Sequence, residues 1–454
     1  MEFRKHPASF RDPSGFVFNY DGVIYRQVNN YFKNDFGLLM NSGLYHSAIE
    51  KRLMLPHQQI NKNFSGENDW LTTLLPEQLN YLSYPFEWSF DMLKDAALTT
   101  LEAAGEAIKF GMVLKDASAF NIQFHKGKMQ LIDSLSFEKY DGISPWVAYR
   151  QFCEQFLAPL MCMHYLNYPL QQLLVSNLDG MPLSIAKKIL PVRSKLNLNI
   201  LLHLHLHAGF SNKKNKTNYQ SRFSVSKLQQ LYKSLEEAVQ FCKPSFVPTV
   251  WSDYYEEASL REDYLKNKKK IVEEWINKIP AKKAVDIGAN DGTFSEMLAN
   301  KDVYTISVDN DSLAVNTLYK KIKAAGAEKI HPLVSNLSNP TPAFGFNNEE
   351  HMSFIQRTKV DIVLALAVVH HLAIAKNIPF ELIASFFSRL GNILIIEFVP
   401  KDDPKIKIML EGRKNVFETY NEESFLKAFC AHYKILYSQI IGSSKRKIFL
   451  MQLL

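Results

Sequence analysis

Short apolar runs of strand length recur through the C-terminal part of the chain, at 283–287, 303–308, 330–334, 360–366 and 392–397. Between most of them, at 293–300, 312–325 and 379–390, apolar residues fall at helical spacing instead. Strand-like and helix-like periods in alternation predict parallel strands joined by crossover helices. Two β-rich runs, 433–441 and 445–454, flank Gly442-Ser443-Ser444 and predict a closing hairpin. The pattern therefore predicts an α/β domain over 281–454. Ahead of it, 253–279 reads as a helix, and 251–280 is assigned as a helical linker.

The first 250 residues have a different texture. Residues 16–28 alternate around Asp21-Gly22, a strong hairpin signal. A long amphipathic helix is predicted over 90–110, followed by strand-like runs at 111–124 and 128–133 and helix-rich stretches at 145–168 and 182–208. No internal repeat is evident, and the pattern predicts an α+β domain over 1–250.

Bulk composition narrows the classes. A chain of 454 residues can hold two cores, and 46% hydrophobic with 22% charged residues is ordinary for globular protein. A net charge of +7 from dispersed basic residues disfavours nucleic acid as a partner. The local clusters at Lys213–Lys216 and Lys266–Lys270 read as solvated surface. Cys153, Cys162, Cys242 and Cys430 show neither pairing nor metal spacing, which points to a reducing compartment. With no apolar run of membrane-spanning length and no signal-peptide core, a cytoplasmic protein is expected. In His203-Leu204-His205-Leu206-His207, a strand would bring three imidazoles to one face, as zinc requires, whereas a buried helix would spread them. The surrounding leucines favour structural histidines, and no metal is assigned.

Chemistry concentrates at the first α/β unit. An apolar run ends in Asp286, a turn passes through Gly288, Asn290 and Gly292, and a second apolar run ends in Asp309. Glycines allow close backbone approach to a ligand, and a helix beginning near Thr293 aims its N–H groups toward it. An acid about 20 residues beyond the turn can accept hydrogen bonds from ribose hydroxyls. Asn290 breaks the dinucleotide fingerprint, while Asp286 suits a ligand with a cationic end. Asp286-x-Gly288-x-Asn290-x-Gly292 with Asp309 resembles motif I and the ribose acid of class I S-adenosylmethionine-dependent methyltransferases. Asn290 stands where glycine is commoner, a position Asn can fill by adopting a left-handed backbone. Residues 339–346, 365–372 and 395–400 resemble a narrower bacterial, nodulation-protein-like (NoeA-like) group.

The resemblance implies a Rossmann-like domain with a seven-stranded, mostly parallel sheet and an antiparallel last strand. It also implies S-adenosyl-L-methionine as cofactor, held by Asp286, Gly288, Asn290, Gly292 and Asp309. Asn336, past the third strand, is either an adenine ligand or a plain turn residue. His370 and His371, after the fourth strand, are candidates to accept a proton from the acceptor; the alternative is helix capping and packing beneath the cofactor. Glu397 and Arg357 are candidate charges for orienting substrate.

A second constellation lies in the N-terminal half. Asp116-x-x-x-x-Asn121, a hairpin and Asp133 resemble the core of protein-kinase-like phosphotransferases, which implies ATP and magnesium. The sequence departs from that family: Asp133-Ser134-Leu135 replaces Asp-Phe-Gly, no glycine-rich loop precedes the strands, and Arg26 stands where lysine is expected, with Glu50 as its partner. The expected protein is thus a methyltransferase acting on an unidentified small molecule, glycan or protein, its N-terminal domain choosing the substrate. A bifunctional enzyme and a non-catalytic adaptor are the alternatives.

Overall fold

The computed structural model describes residues 2–167, 169–206, 223–244, 262–411 and 419–454. They form two compact units, Met1–Val247 with Ala343–His351, and Pro248–Pro342 with Met352–Leu454.

The first unit opens with an antiparallel sheet of β1 (Phe3–Lys5), β2 (Gly15–Tyr20), β3 (Val23–Asn29), β4 (His57–Ile60) and β5 (Trp70–Pro76), in the order β1-β2-β3-β5-β4. The β2–β3 turn is made by Asp21 and Gly22, both at positive φ (50° and 83°), which matches the right-handed twist of the flanking strands. The helix Phe90–Lys109 follows, then β6 (Met112–Leu114), β7 (Ile122–His125), β8 (Lys128–Leu131) and β9 (Phe137–Lys139). Two antiparallel pairs result, β6 with β9 and β7 with β8. Ala343–His351, though distant in sequence, belongs to this unit: Phe344 lies against Tyr84 and Phe86, and His351 stacks on Phe120 at 5.0 Å. The 281–454 domain is therefore not one uninterrupted body.

The second unit is a seven-stranded sheet. Its strands are β10 (Lys283–Ile287), β11 (Tyr304–Asp309), β12 (Ile330–Val334), β13 (Val360–Ala365), β14 (Gly391–Phe398), β15 (Tyr433–Ile440) and β16 (Lys447–Leu453). The order is β12-β11-β10-β13-β14-β16-β15, with β16 antiparallel to both neighbours. This is the class I methyltransferase arrangement that the alternating pattern and the motif pointed to. The parallel strands β10 to β13 are near-continuously buried, as expected where helices cover both faces of a sheet.

The segment read as a linker is partly something else. Residues 245–261 lie outside the described residues. The helix Glu262–Ile276, however, buries Ile271, Val272, Trp275 and Ile276 in one core with Ala284, Ile362, Leu364 and Ile395. Four such side chains at about 1.5–3 kcal/mol each make this helix part of the sheet's support rather than a connector.

Candidate functional site

Strand order reverses at β10. From it the chain steps outward to β11 and β12, then returns to its other side for β13 and β14. Open α/β sheets have their ligand crevice at such a switch, over the carboxyl ends of the strands. Asp286 is the penultimate residue of β10 and Asp309 the last of β11, so both predicted acids reach this edge.

The turn between them is held tightly. Gly288 (φ 72°), Asn290 (φ 47°) and Gly292 (φ 81°) all take left-handed backbone, and Asn290 does so as its side chain permits. A Cβ on Gly288 would sit 2.7 Å from a methyl of Val368, and one on Gly292 2.4 Å from Leu318. The glycines are thus required by close packing as well as by backbone. Asn290 N–H donates to Asp309 Oδ2 (2.9 Å), and Asp311 N–H to Asp309 Oδ1 (2.8 Å).

Asp286 is buried, with Oδ2 accepting from Ser295 Oγ (2.7 Å), which in turn accepts from Ser307 Oγ (2.7 Å). Burial pushes its carboxyl up to about 6, against the opposing pull of Ser295 and Lys268. A carboxylate held out of water with little compensation suits a cationic ligand group. The residues present fit the methionine end and ribose of S-adenosylmethionine.

Asn336 uses its side-chain oxygen within its own turn, accepting from Ser338 N (3.0 Å) and Ser338 Oγ (2.7 Å). His370 is fully buried just beyond β13, and neither ring nitrogen has a hydrogen-bond partner among the described residues. Its ring lies 4.1 Å from that of His371. Burial, then the neighbouring His371, holds His370 well below the usual histidine range, and burial lowers His371 to about 4. Both imidazoles are neutral at neutral pH. Ala367, at φ 57°, is a strained residue in the same turn and aims Val368 at Gly288.

Two expectations change. Glu397 is not open to an acceptor: it is completely buried, with Oε2 2.6 Å from Lys268 Nζ and Oε1 accepting from Tyr264 Oη at 2.5 Å. Arg446 stands 3.6 Å from it and makes a bidentate pair with Asp403 (2.8 and 3.1 Å). A carboxylate buried to this degree persists because cations surround it. Arg357 lies in the short helix Phe354–Arg357 that leads into the amino end of β13, the edge opposite the crevice. It is buried and donates from Nε to Met352 O (3.2 Å).

Lys268, Tyr264, Arg446 and Asp403 were not singled out from sequence. Lys268 was counted in a solvated cluster, yet it is buried, and its ammonium sits 5.3 Å from the Phe294 ring centroid in the motif helix. Its spacing carried a signal: it falls three residues from both Leu265 and Ile271, on the apolar stripe of its helix.

In the first unit, Asp116 and Asn121 precede β7 and Asp133 follows β8, so the hairpin brings both ends together. Asp116 Oδ1 accepts from Gln151 Nε2 (2.7 Å) and Ser118 N (2.9 Å), and Asn121 reaches Ser136 Oγ at 3.4 Å. Arg26 pairs with Asp133 Oδ1 at 2.6 Å rather than with Glu50, which is exposed. His203 and His205 are buried and bonded to Tyr149, Ser234 and Ser194; His207, like the Lys213–Lys216 cluster, lies outside the described residues.

No protein-family model matches the chain. Over 97% of its length the chain is 29% identical to Nodulation protein NoeA of Rhizobium meliloti (strain 1021), spanning 94% of that protein. Solved structures that resemble it include the bifunctional kinase-methyltransferase WbdD, with 14% identity, 46% of this chain and 46% of that one covered, and a TM-score of 0.32. The match therefore spans less than half of WbdD. N-methyltransferase NodS from Bradyrhizobium japonicum WM9 is 10% identical, with 42% and 97% covered and a TM-score of 0.32. Magnesium protoporphyrin IX methyltransferase from Synechocystis PCC 6803 is 17% identical, with 43% and 88% covered and a TM-score of 0.31. At such scores the fold assignment rests on strand order and direction, which the chain shows for itself.

Proposed function

We propose that the second unit transfers a methyl group from S-adenosyl-L-methionine to an oxygen or nitrogen nucleophile. The observation that carries this reading is the union of Asp286, the Gly288–Asn290–Gly292 turn and Asp309 at the switch point of the sheet. Asp286 would face the amino and sulfonium end of the cofactor, and Asp309 its ribose hydroxyls. The cofactor supplies a methyl carbon already activated for in-line displacement. The chain's own work is alignment and exclusion of water. Neutral His371, half-buried beside the fully buried His370, is in the form that accepts a proton from the attacking group. The test is calorimetric titration with S-adenosylhomocysteine: the reading expects binding that Asp309→Ala removes, and it fails if the variant binds as tightly as the parent.

For the first unit we favour ligand or partner binding over phosphotransfer. What supports this is Arg26, whose guanidinium engages the carboxylate that a magnesium ion would need. Magnesium-dependent ATP binding by the full chain, lost in Asp133→Asn, would restore the bifunctional reading. A chain that binds neither ligand would leave the adaptor.

A further inference from the structure

From Gly180 to Leu235 the sequence contains ten Lys and Arg residues and no Asp or Glu. The whole chain carries only +7, so this stretch departs sharply from the dispersed charge elsewhere. Its described part, in the first unit, ends in the helix Val225–Phe241 and begins with a layer of short helical turns: Leu183–Ile189, Val192–Leu196, Leu198–Ile200 and Leu201–Leu206. Leu183, Ala186, Ile200 and Leu204 turn inward. The outward side is unusually apolar. Val192, Leu196 and Leu198 are 77%, 88% and 76% exposed, and Ile185, Ile189 and Leu202 are exposed beside them.

Lys187, Lys188, Arg193 and Lys195 stand exposed among these aliphatics. Burial lowers His205, and Lys195 and Lys187 lower it further, so both cations lie near this ring although eight residues separate them. Ser194 Oγ meets His205 Nε2 at 2.8 Å and Arg193 donates to Tyr165 O, so the cationic turn is pinned to the layer. Projecting aliphatic side chains of this kind are uncommon on soluble surfaces unless something covers them.

We propose that this face binds the surface of an anionic lipid bilayer. Charge complementarity chooses an anionic partner, since none of the four cations forms an ion pair among the described residues, and the acid that reaches the layer, Glu237, bonds Asn199 instead. The aliphatics choose among anionic partners: nucleic acid offers nothing to Leu196 or Leu198, whereas a bilayer offers acyl chains just below its phosphates. Lysine and arginine can rest their stems on the apolar layer while their heads reach the phosphates. Among the described residues no helix is long and apolar enough to cross a membrane, so the attachment is peripheral. This assignment is independent of the methyl-transfer reading.

The test is flotation of the full chain with phosphatidylcholine vesicles, with and without phosphatidylglycerol, at low and high salt. Vesicle affinity is expected only with the anionic lipid and is weakened by salt. Each Lys or Arg contributes about fivefold near such a surface, so Lys187→Glu with Lys188→Glu should lower affinity at least about tenfold. Leu196→Ser with Leu198→Ser should lower it comparably at unchanged charge, and an unchanged thermal melt shows that each variant is folded. Absence of binding by the folded parent chain overturns the proposal. So does a leucine pair that binds as the parent does, which would mark simple electrostatic adsorption. Loss of a dimer in that leucine variant, with no vesicle binding by the parent, would assign the face to a second copy of the chain.

Discussion

The backbone N–H of Asn290 donates to Asp309 Oδ2 at 2.9 Å, joining the glycine turn after β10 to the acid that ends β11. Two features separated by 19 residues are therefore one construction, and Asp309 shapes the turn besides its proposed place at the ribose. Asp309→Ala should abolish measurable cofactor affinity, whereas Asp309→Asn, whose single amide oxygen can still accept from one of the Asn290 and Asp311 N–H groups but not both, should retain the fold and lose affinity only in part. Calorimetry with S-adenosylhomocysteine and a melting curve for each variant separate the two effects.

Asp286 has a raised carboxyl, at about 6 against an ordinary value of 3.8. The folded chain then holds this proton more tightly than the unfolded chain, so the residue's contribution to stability falls as pH rises from about 4 to 6. The loss is on the order of 3 kcal/mol. Cofactor binding should run the other way, weakening about tenfold per pH unit below 6 because the ionised form meets the cationic ligand. Asp286→Asn should melt higher than the parent at neutral pH and bind S-adenosylhomocysteine more weakly. A variant that loses both would show the carboxylate to be structural.

The imidazoles should behave oppositely. With His370 held well below its ordinary 6.5 and His371 at about 4, the unfolded chain binds more protons in that interval, so stability falls as pH drops below 6.5. NMR of the ring carbons should show neither histidine titrating between about pH 6 and 8. A midpoint near 6.5 at either ring would contradict the burial described.

Lys268 and Glu397 form a buried pair at 2.6 Å. Removing Lys268 leaves the buried carboxylate with only Arg446, at 3.6 Å and already paired with Asp403, so Lys268→Met should cost up to about 3–5 kcal/mol in urea unfolding. Lys268→Met combined with Glu397→Leu should recover much of that loss. If the single variant is no less stable than the parent, the pair is not a structural anchor.

At Gly292 the crowding atom is Leu318 Cδ1, 2.4 Å from where a Cβ would lie, and φ is 81°. Gly292→Ala should destabilise by more than about 1 kcal/mol, from both backbone and contact. Leu318→Ala in the same chain should relieve the contact and leave the backbone cost. A double variant that is simply additive would place the whole penalty in the backbone.

Much of the second unit was legible along the chain. Strand and helix periods are local properties, set by which side chains face the core, and so 283–287 and 330–334 coincide with β10 and β12. Motif residues 286–292 were legible for the same reason: a turn that needs left-handed backbone restricts its own residues to Gly and Asn. The Asp21-Gly22 hairpin belongs to this class as well.

What only the tertiary structure decided is where charges and distant segments meet. Glu397 read as an open acid because nothing local announces Lys268 and Arg446, 129 and 49 residues away in sequence. Arg357 read as a substrate ligand until the sheet placed it at the amino edge of β13. Ala343–His351 lies among methyltransferase strands in sequence yet packs on Tyr84, Phe86 and Phe120, a choice made by aromatic burial across the fold. Sequence by itself determines the local backbone, since steric limits act between neighbours. Pairing of buried charges and the seating of long-range contacts depend on the whole core, whose free energy no single segment carries.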